Sequence, residues 1–124
     1  MAAMKLKVQE HGDVTAVYLG GDVEVSEIDG LREVMEKPLN GKGTPKAVLD
    51  LSGVTRMTSY VVALVGYYNA QFKQSGGQLI VTGASQGGAQ RPFELSGLVE
   101  VLTMADTVEA AIRKLQAPSK GGRA

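Results

Sequence analysis

From Met4 to Val23 polar and apolar residues alternate on either side of His11-Gly12-Asp13. That period of two predicts a β-hairpin, with Leu6 and Val8 facing inward on one strand. Val14, Ala16 and Tyr18 share a face on the other, and Gly20-Gly21 is expected to end it. The spacing then changes to a helical one. Ile28, Leu31, Val34 and Met35 fall on one stripe, with Ser26 placed as N-cap and Asp29 at the capping-box position. Pro38 to Pro45 reads as a turn-rich connection, and "KAVLDLS" as a buried strand.

A second helical stripe follows, made of Val61, Leu64, Val65, Tyr68 and Phe72 and suited to packing on a sheet. It stops at "SGG", and "QLIVTG" predicts the next strand. A short helix is expected over Pro92 to Leu95, with Pro92 in its first turn and Gly97 as its C-terminal cap. "VEVLT" reads as an edge strand. Asp106 or Thr107 opens a last helix that turns Val108, Ala111, Ile112 and Leu115 inward. Strands and helices alternate after the hairpin, which predicts an α/β domain whose sheet has parallel members covered by helices. One domain over residues 1–117 and a flexible tail over 118–124 are expected.

Composition narrows the function classes. The chain has 124 residues, 44% of them apolar, with 13 basic and 13 acidic residues and no Cys. Balanced charge without a basic run argues against nucleic acid as a partner, and the absence of Trp argues against a base-stacking platform. Without Cys there is no disulfide, thiol nucleophile or thiolate metal site. No apolar stretch approaches the roughly 20 residues that span a bilayer, so direct membrane insertion is not expected. A soluble, cytoplasmic protein fits these totals.

Few residues suggest chemistry. "LIVTGASQGGAQ" is similar to the phosphate-binding turn of short-chain dehydrogenases, but Ala89 stands where a third glycine belongs. The turn also lies too late in the chain for a dinucleotide domain, and no Tyr-x-x-x-Lys pair is present. No cofactor is therefore expected. His11 is alone, in a turn, without spaced companions that would make a metal site. Asp22 and Glu24 read either as an acidic contact patch or as plain surface charge.

Thr58-Ser59 stands at the mouth of the most apolar helix. One hydroxyl suffices as a cap, and two are present. The other reading is a regulatory hydroxyl at a helix end whose free N–H groups tolerate a phosphate, with Arg56 close in sequence. Tyr60, Ala63, Tyr67 and Gln71 form a second stripe, either an interaction surface or a cover for neighbouring elements.

"AVLDLSGVTRMTSYVVALVGYYNAQFKQSGGQLIVTGAS" followed by "FELSGLVEVLTMADTVEAAIRKL" resembles the STAS domain family, the fold of bacterial anti-sigma factor antagonists. The likeness runs from the hairpin to the last helix. It implies a mixed sheet of four to five strands faced by about four helices, and no enzymatic activity. It also implies an anti-sigma factor or GHKL-type serine kinase, or other STAS proteins, as partners. By the match to the family's Asp-Ser-Ser-Gly junction, the phospho-acceptor position is Ser59, with Thr58 as the alternative. The partner surface would comprise Thr58, Ser59, Tyr60, Ala63 and Tyr67, with Asp22 and Glu24. The chain departs from the motif at Thr58 (family Asp), Tyr60 (a small hydroxyl residue) and Val61 (Gly). An unphosphorylated scaffold, or an accessory subunit of a signalling assembly or transporter, is the alternative that these departures favour.

Overall fold

A computed structural model describes residues 3–116. The sheet has five strands in the order β1 (Lys5–His11), β2 (Val14–Val23), β3 (Lys46–Met57), β4 (Gln78–Thr82) and β5 (Thr103–Ala105). β1 and β2 form the antiparallel hairpin, and every later pairing is parallel. The mixed α/β architecture is the one expected. Parallel neighbours need crossovers, and the helices supply them.

Helices α1 (Ile28–Asn40), α2 (Ser59–Gln74) and α3 (Gly87–Ser96) lie over one face of the sheet. Val17, Leu19, Leu49, Leu51, Leu79 and Val81 line that face, and Leu31, Val61, Val65, Tyr68, Phe72 and Phe93 pack on it. Each such large side chain contributes about 1.5–3 kcal/mol by leaving water. α4 (Val108–Gln116) covers part of the other face, setting Ala111 and Leu115 on Val14, Val48 and Ile80. The predicted stripe of α2 is buried throughout, and it packs on the sheet as its spacing required.

Several local expectations are corrected. Val8 does not face a covered core: it is 40% exposed, because β1 is an edge strand. β2 does not stop at Gly20-Gly21 but runs on to Val23, with register irregularities beside both glycines. Gly20 serves close approach instead, since a Cβ there would sit 3.3 Å from the Gly53 carbonyl oxygen, and Gly21 takes a left-handed φ of +75°. Ser26 lies inside a 3-10 turn (Val25–Glu27) and caps nothing; α1 starts at Ile28. α1 also carries Pro38 within its last turn and ends at Asn40, where the sequence suggested a connection.

α3 begins at Gly87, five residues before the proline expected to open it. Gly97, with φ +75°, caps it as anticipated. The strand read from "VEVLT" is displaced: Leu98–Glu100 form a 3-10 turn, Val101 is exposed, and β5 starts at Thr103. Thr107 opens α4, its Oγ1 accepting from the Ala110 N–H at 3.1 Å. The tail placed over 118–124 lies outside the described residues.

Candidate functional site

β3 delivers the chain to the start of α2, and Thr58 occupies the N-cap position in an extended conformation (φ −92°, ψ 163°). Its carbonyl accepts from the N–H groups of Val61 and Val62 at 3.1 and 3.2 Å. Its hydroxyl makes no capping bond, so the first turn of α2 is left without a side-chain cap. Of the two hydroxyls, Thr58 thus holds the cap position without making the capping bond. Thr58, Ser59 and Tyr60 are all exposed.

Two flanking helices build walls around this turn. Ser59 borders a cleft shared with Arg91, Pro92, Leu95 and Ser96 of α3. Leu95 is 75% exposed, an unusual position for a leucine in a domain with a filled core. On the other side, Arg32 of α1 donates from Nη2 to the Tyr60 phenolic oxygen at 2.8 Å. That bond, first of all, raises the Arg32 pKa above its ordinary value. Ala63 and Tyr67 continue along the exposed side of α2, with Gln71 half-buried. The Tyr67 ring stands edge-on to Tyr68, centroids 5.1 Å apart. Tyr68 itself is core, and its hydroxyl donates to Glu36 at 2.8 Å.

The structure thus brings Thr58, Ser59, Tyr60, Ala63 and Tyr67 onto one exposed side of the molecule. It does not add Asp22 to an acidic surface patch. Asp22 is only 8% exposed, and its carboxylate accepts from the Thr55 hydroxyl at 2.5 Å, which ties β2 to β3. Glu24 alone of that pair is exposed. Arg32, Arg91, Leu95 and Ser96 were missed from sequence. An earlier helix start would have placed Arg91 and Leu95 four residues apart on one face, but Pro92 pointed to a later one.

The glycine-rich turn has a packing explanation. Gly83 (φ +79°) lies against the backbone of Ser52. A Cβ on Gly88 would overlap the Thr55 carbonyl and lie 2.6 Å from the Arg56 nitrogen. These glycines let the start of α3 sit directly on β3. Among the described residues no three His, Cys, Asp or Glu side chains cluster as metal ligands.

A family model described as the STAS domain matches residues 5–111. The chain belongs to the STAS domain family. Solved structures agree in fold. An anti-sigma factor antagonist from Mycobacterium paratuberculosis superposes with a TM-score of 0.75 at 19% identity, covering 93% of this chain and 96% of that one. A putative anti-sigma factor antagonist from Thermotoga maritima gives 0.77 at 19% identity, over 90% and 95%. The anti-sigma factor antagonist SpoIIAA in its unphosphorylated form gives 0.71 at 19% identity, over 95% and 100%. Among the described residues no helix is long and apolar enough to cross a membrane.

Proposed function

We propose that this chain is a non-catalytic binding module of the anti-sigma factor antagonist type, acting in the cytoplasm by exchange between protein partners. It docks an anti-sigma factor or serine kinase through the first turn of α2 and the exposed side chains around it. The observation that carries this reading is Ser59: an exposed hydroxyl in an uncapped helix turn, at the rim of a cleft that displays Leu95. In the switch, Ser59 Oγ attacks the γ-phosphorus of ATP held by the kinase. The bond to the leaving ADP breaks, and the hydroxyl proton passes to a base on the kinase. About −1.5 to −2 charges then stand in a contact built around apolar side chains, and the partner is expelled by desolvation cost and repulsion.

The test is incubation with host-cell lysate and ATP, then intact mass and fragment mapping. Gain of one phosphoryl group that disappears in Ser59→Ala supports the switch. No gain, or a gain that survives Ser59→Ala and Thr58→Ala, removes it. The second reading, a scaffold or accessory subunit without phosphoryl transfer, is favoured by Tyr60. Its bulky ring, tied to Arg32, directly follows the acceptor where the family carries a small residue.

A further inference from the structure

The sheet ends on one side in a short strand and on the other in a long one. β5 has three residues, too few to recruit much pairing, whereas β1 has seven and nothing on its outer side among the described residues. The β1–β2 turn is two residues, Gly12-Asp13, with Gly12 at φ +65°, as a type II′ hairpin requires. His11 and Val14 are then a hydrogen-bonded pair, and the bonded pairs recur at Gln9, Lys7 and Lys5. Leu6, Val8 and Glu10 therefore turn their N–H and C=O groups outward, away from β2.

Lysines usually guard such an edge. Here the Lys7 ammonium lies 5.7 Å from the centroid of the Tyr18 ring, folded back over its own sheet. On the α1 side, Val8 borders a groove with Val34 and Pro38, flanked by Glu10 and Lys37. The free backbone groups and the exposed valine coincide.

We propose that β1 is a self-association edge: a second copy of this chain pairs with it antiparallel about a twofold axis at Val8, joining two sheets into one. Charge selects this occupant. β1 carries Lys5 and Lys7 before Val8 and Glu10 after it, so an antiparallel copy sets Glu10 of each strand opposite Leu6, between Lys5 and Lys7 of the other. Register follows from the same residues. With Val8 opposite Val8, Leu6 faces Glu10 of the second copy, all three outward-pointing residues find partners, and Lys7 faces Gln9. A slip of two residues one way sets Lys7 against Lys7, which is destabilising. A slip the other way carries Leu6 past the end of the opposing strand. In the chosen register the two Val8 side chains meet over the groove.

The chain has no cysteine, so Val8→Cys introduces a single thiol. Bonded antiparallel partners have Cα atoms about 5.5 Å apart, within disulfide reach. Under mild oxidation Val8→Cys is expected to cross-link to itself nearly completely. Leu6→Cys should do so at least several-fold less, because its own counterpart lies four residues along the strand. Sedimentation of the unmodified chain should show a dimer. Val8→Pro, which removes an outward N–H and no β1–β2 bond, should give a monomer with an unchanged circular dichroism spectrum. Equal cross-linking by Leu6→Cys, a monomeric parent at its highest soluble concentration, or a dimer that persists in Val8→Pro would each overturn the proposal. Pairing only with an extended segment of some other protein would overturn it too.

Discussion

Arg32 of α1 donates a 2.8 Å hydrogen bond to the phenolic oxygen of Tyr60, one residue past the hydroxyl of Ser59. The bond couples a side chain in the middle of one helix to the opening turn of another. It holds the Tyr60 hydroxyl against α1, on the surface through which docking is proposed. Tyr60→Phe keeps the ring and removes the tie. Both groups are solvent-accessible, so the thermal midpoint should not move measurably, while affinity for the partner that protects Ser59 should change. Calorimetry beside a binding titration separates the two; a drop in midpoint with unchanged affinity would make the bond merely structural.

Two threonines at helix starts should respond differently to truncation. Thr107 accepts from the Ala110 N–H, and Thr107→Ala should cost about 1 kcal/mol. Thr58 makes no such bond, so Thr58→Ala should leave urea-unfolding stability almost untouched. Equal losses at both positions would mean that Thr58 caps α2 after all.

Gly88 separates packing from helix propensity. Within a helix, Gly→Ala alone gains up to about 1 kcal/mol. At this position the added methyl would overlap the backbone of Thr55 and Arg56. Gly88→Ala is therefore expected to destabilise the fold by about 1–3 kcal/mol, measured by chemical denaturation. A stabilised variant would show that α3 does not press on β3.

The Tyr68 phenol gives an alkaline signature. Burial, and then the hydrogen bond to Glu36, push its pKa well above the ordinary value of 10. In the unfolded chain the phenol ionises near pH 10. The unfolded state thus loses this proton first as pH rises. Stability from the buried phenol is full below pH ~10 and is lost progressively above it. Tyr68→Phe should cost about 1 kcal/mol at neutral pH by removing the Glu36 bond, and should flatten the alkaline decline. An unchanged decline in the variant would assign it to other groups.

Phe72 and Phe93 are fully buried on the helix-covered face of the sheet. Either residue changed to Ala should cost about 3–5 kcal/mol in urea unfolding, because the lost contacts leave a cavity that rigid neighbours cannot fill. A smaller loss would mean that the surrounding helices collapse inward.

What sequence made legible was periodicity. The three- and four-residue spacing within Val61, Leu64, Val65, Tyr68 and Phe72 identified α2 and its buried face, and alternation identified the hairpin. These patterns report the local chain geometry directly, since only one conformation puts such residues on one side. The same pattern placed the hydroxyl pair at a strand-to-helix junction, the STAS likeness singled out Ser59, and Ser59 stands exposed there.

Tertiary structure decided what the pattern could not hold. Whether Gly20, Gly53 and Gly88 break elements or permit close contact depends on which backbone passes beside them, and that backbone comes from distant parts of the chain. Asp22 read as surface charge until Thr55, on the neighbouring strand, supplied its donor. Arg91 and Leu95 join Ser59 only because α3 folds back beside α2. Val8 carries an inward-facing pattern and yet is exposed, since a strand at the rim of a sheet has a neighbour on one side only. Local spacing set which elements form; long-range packing set which of their side chains meet water.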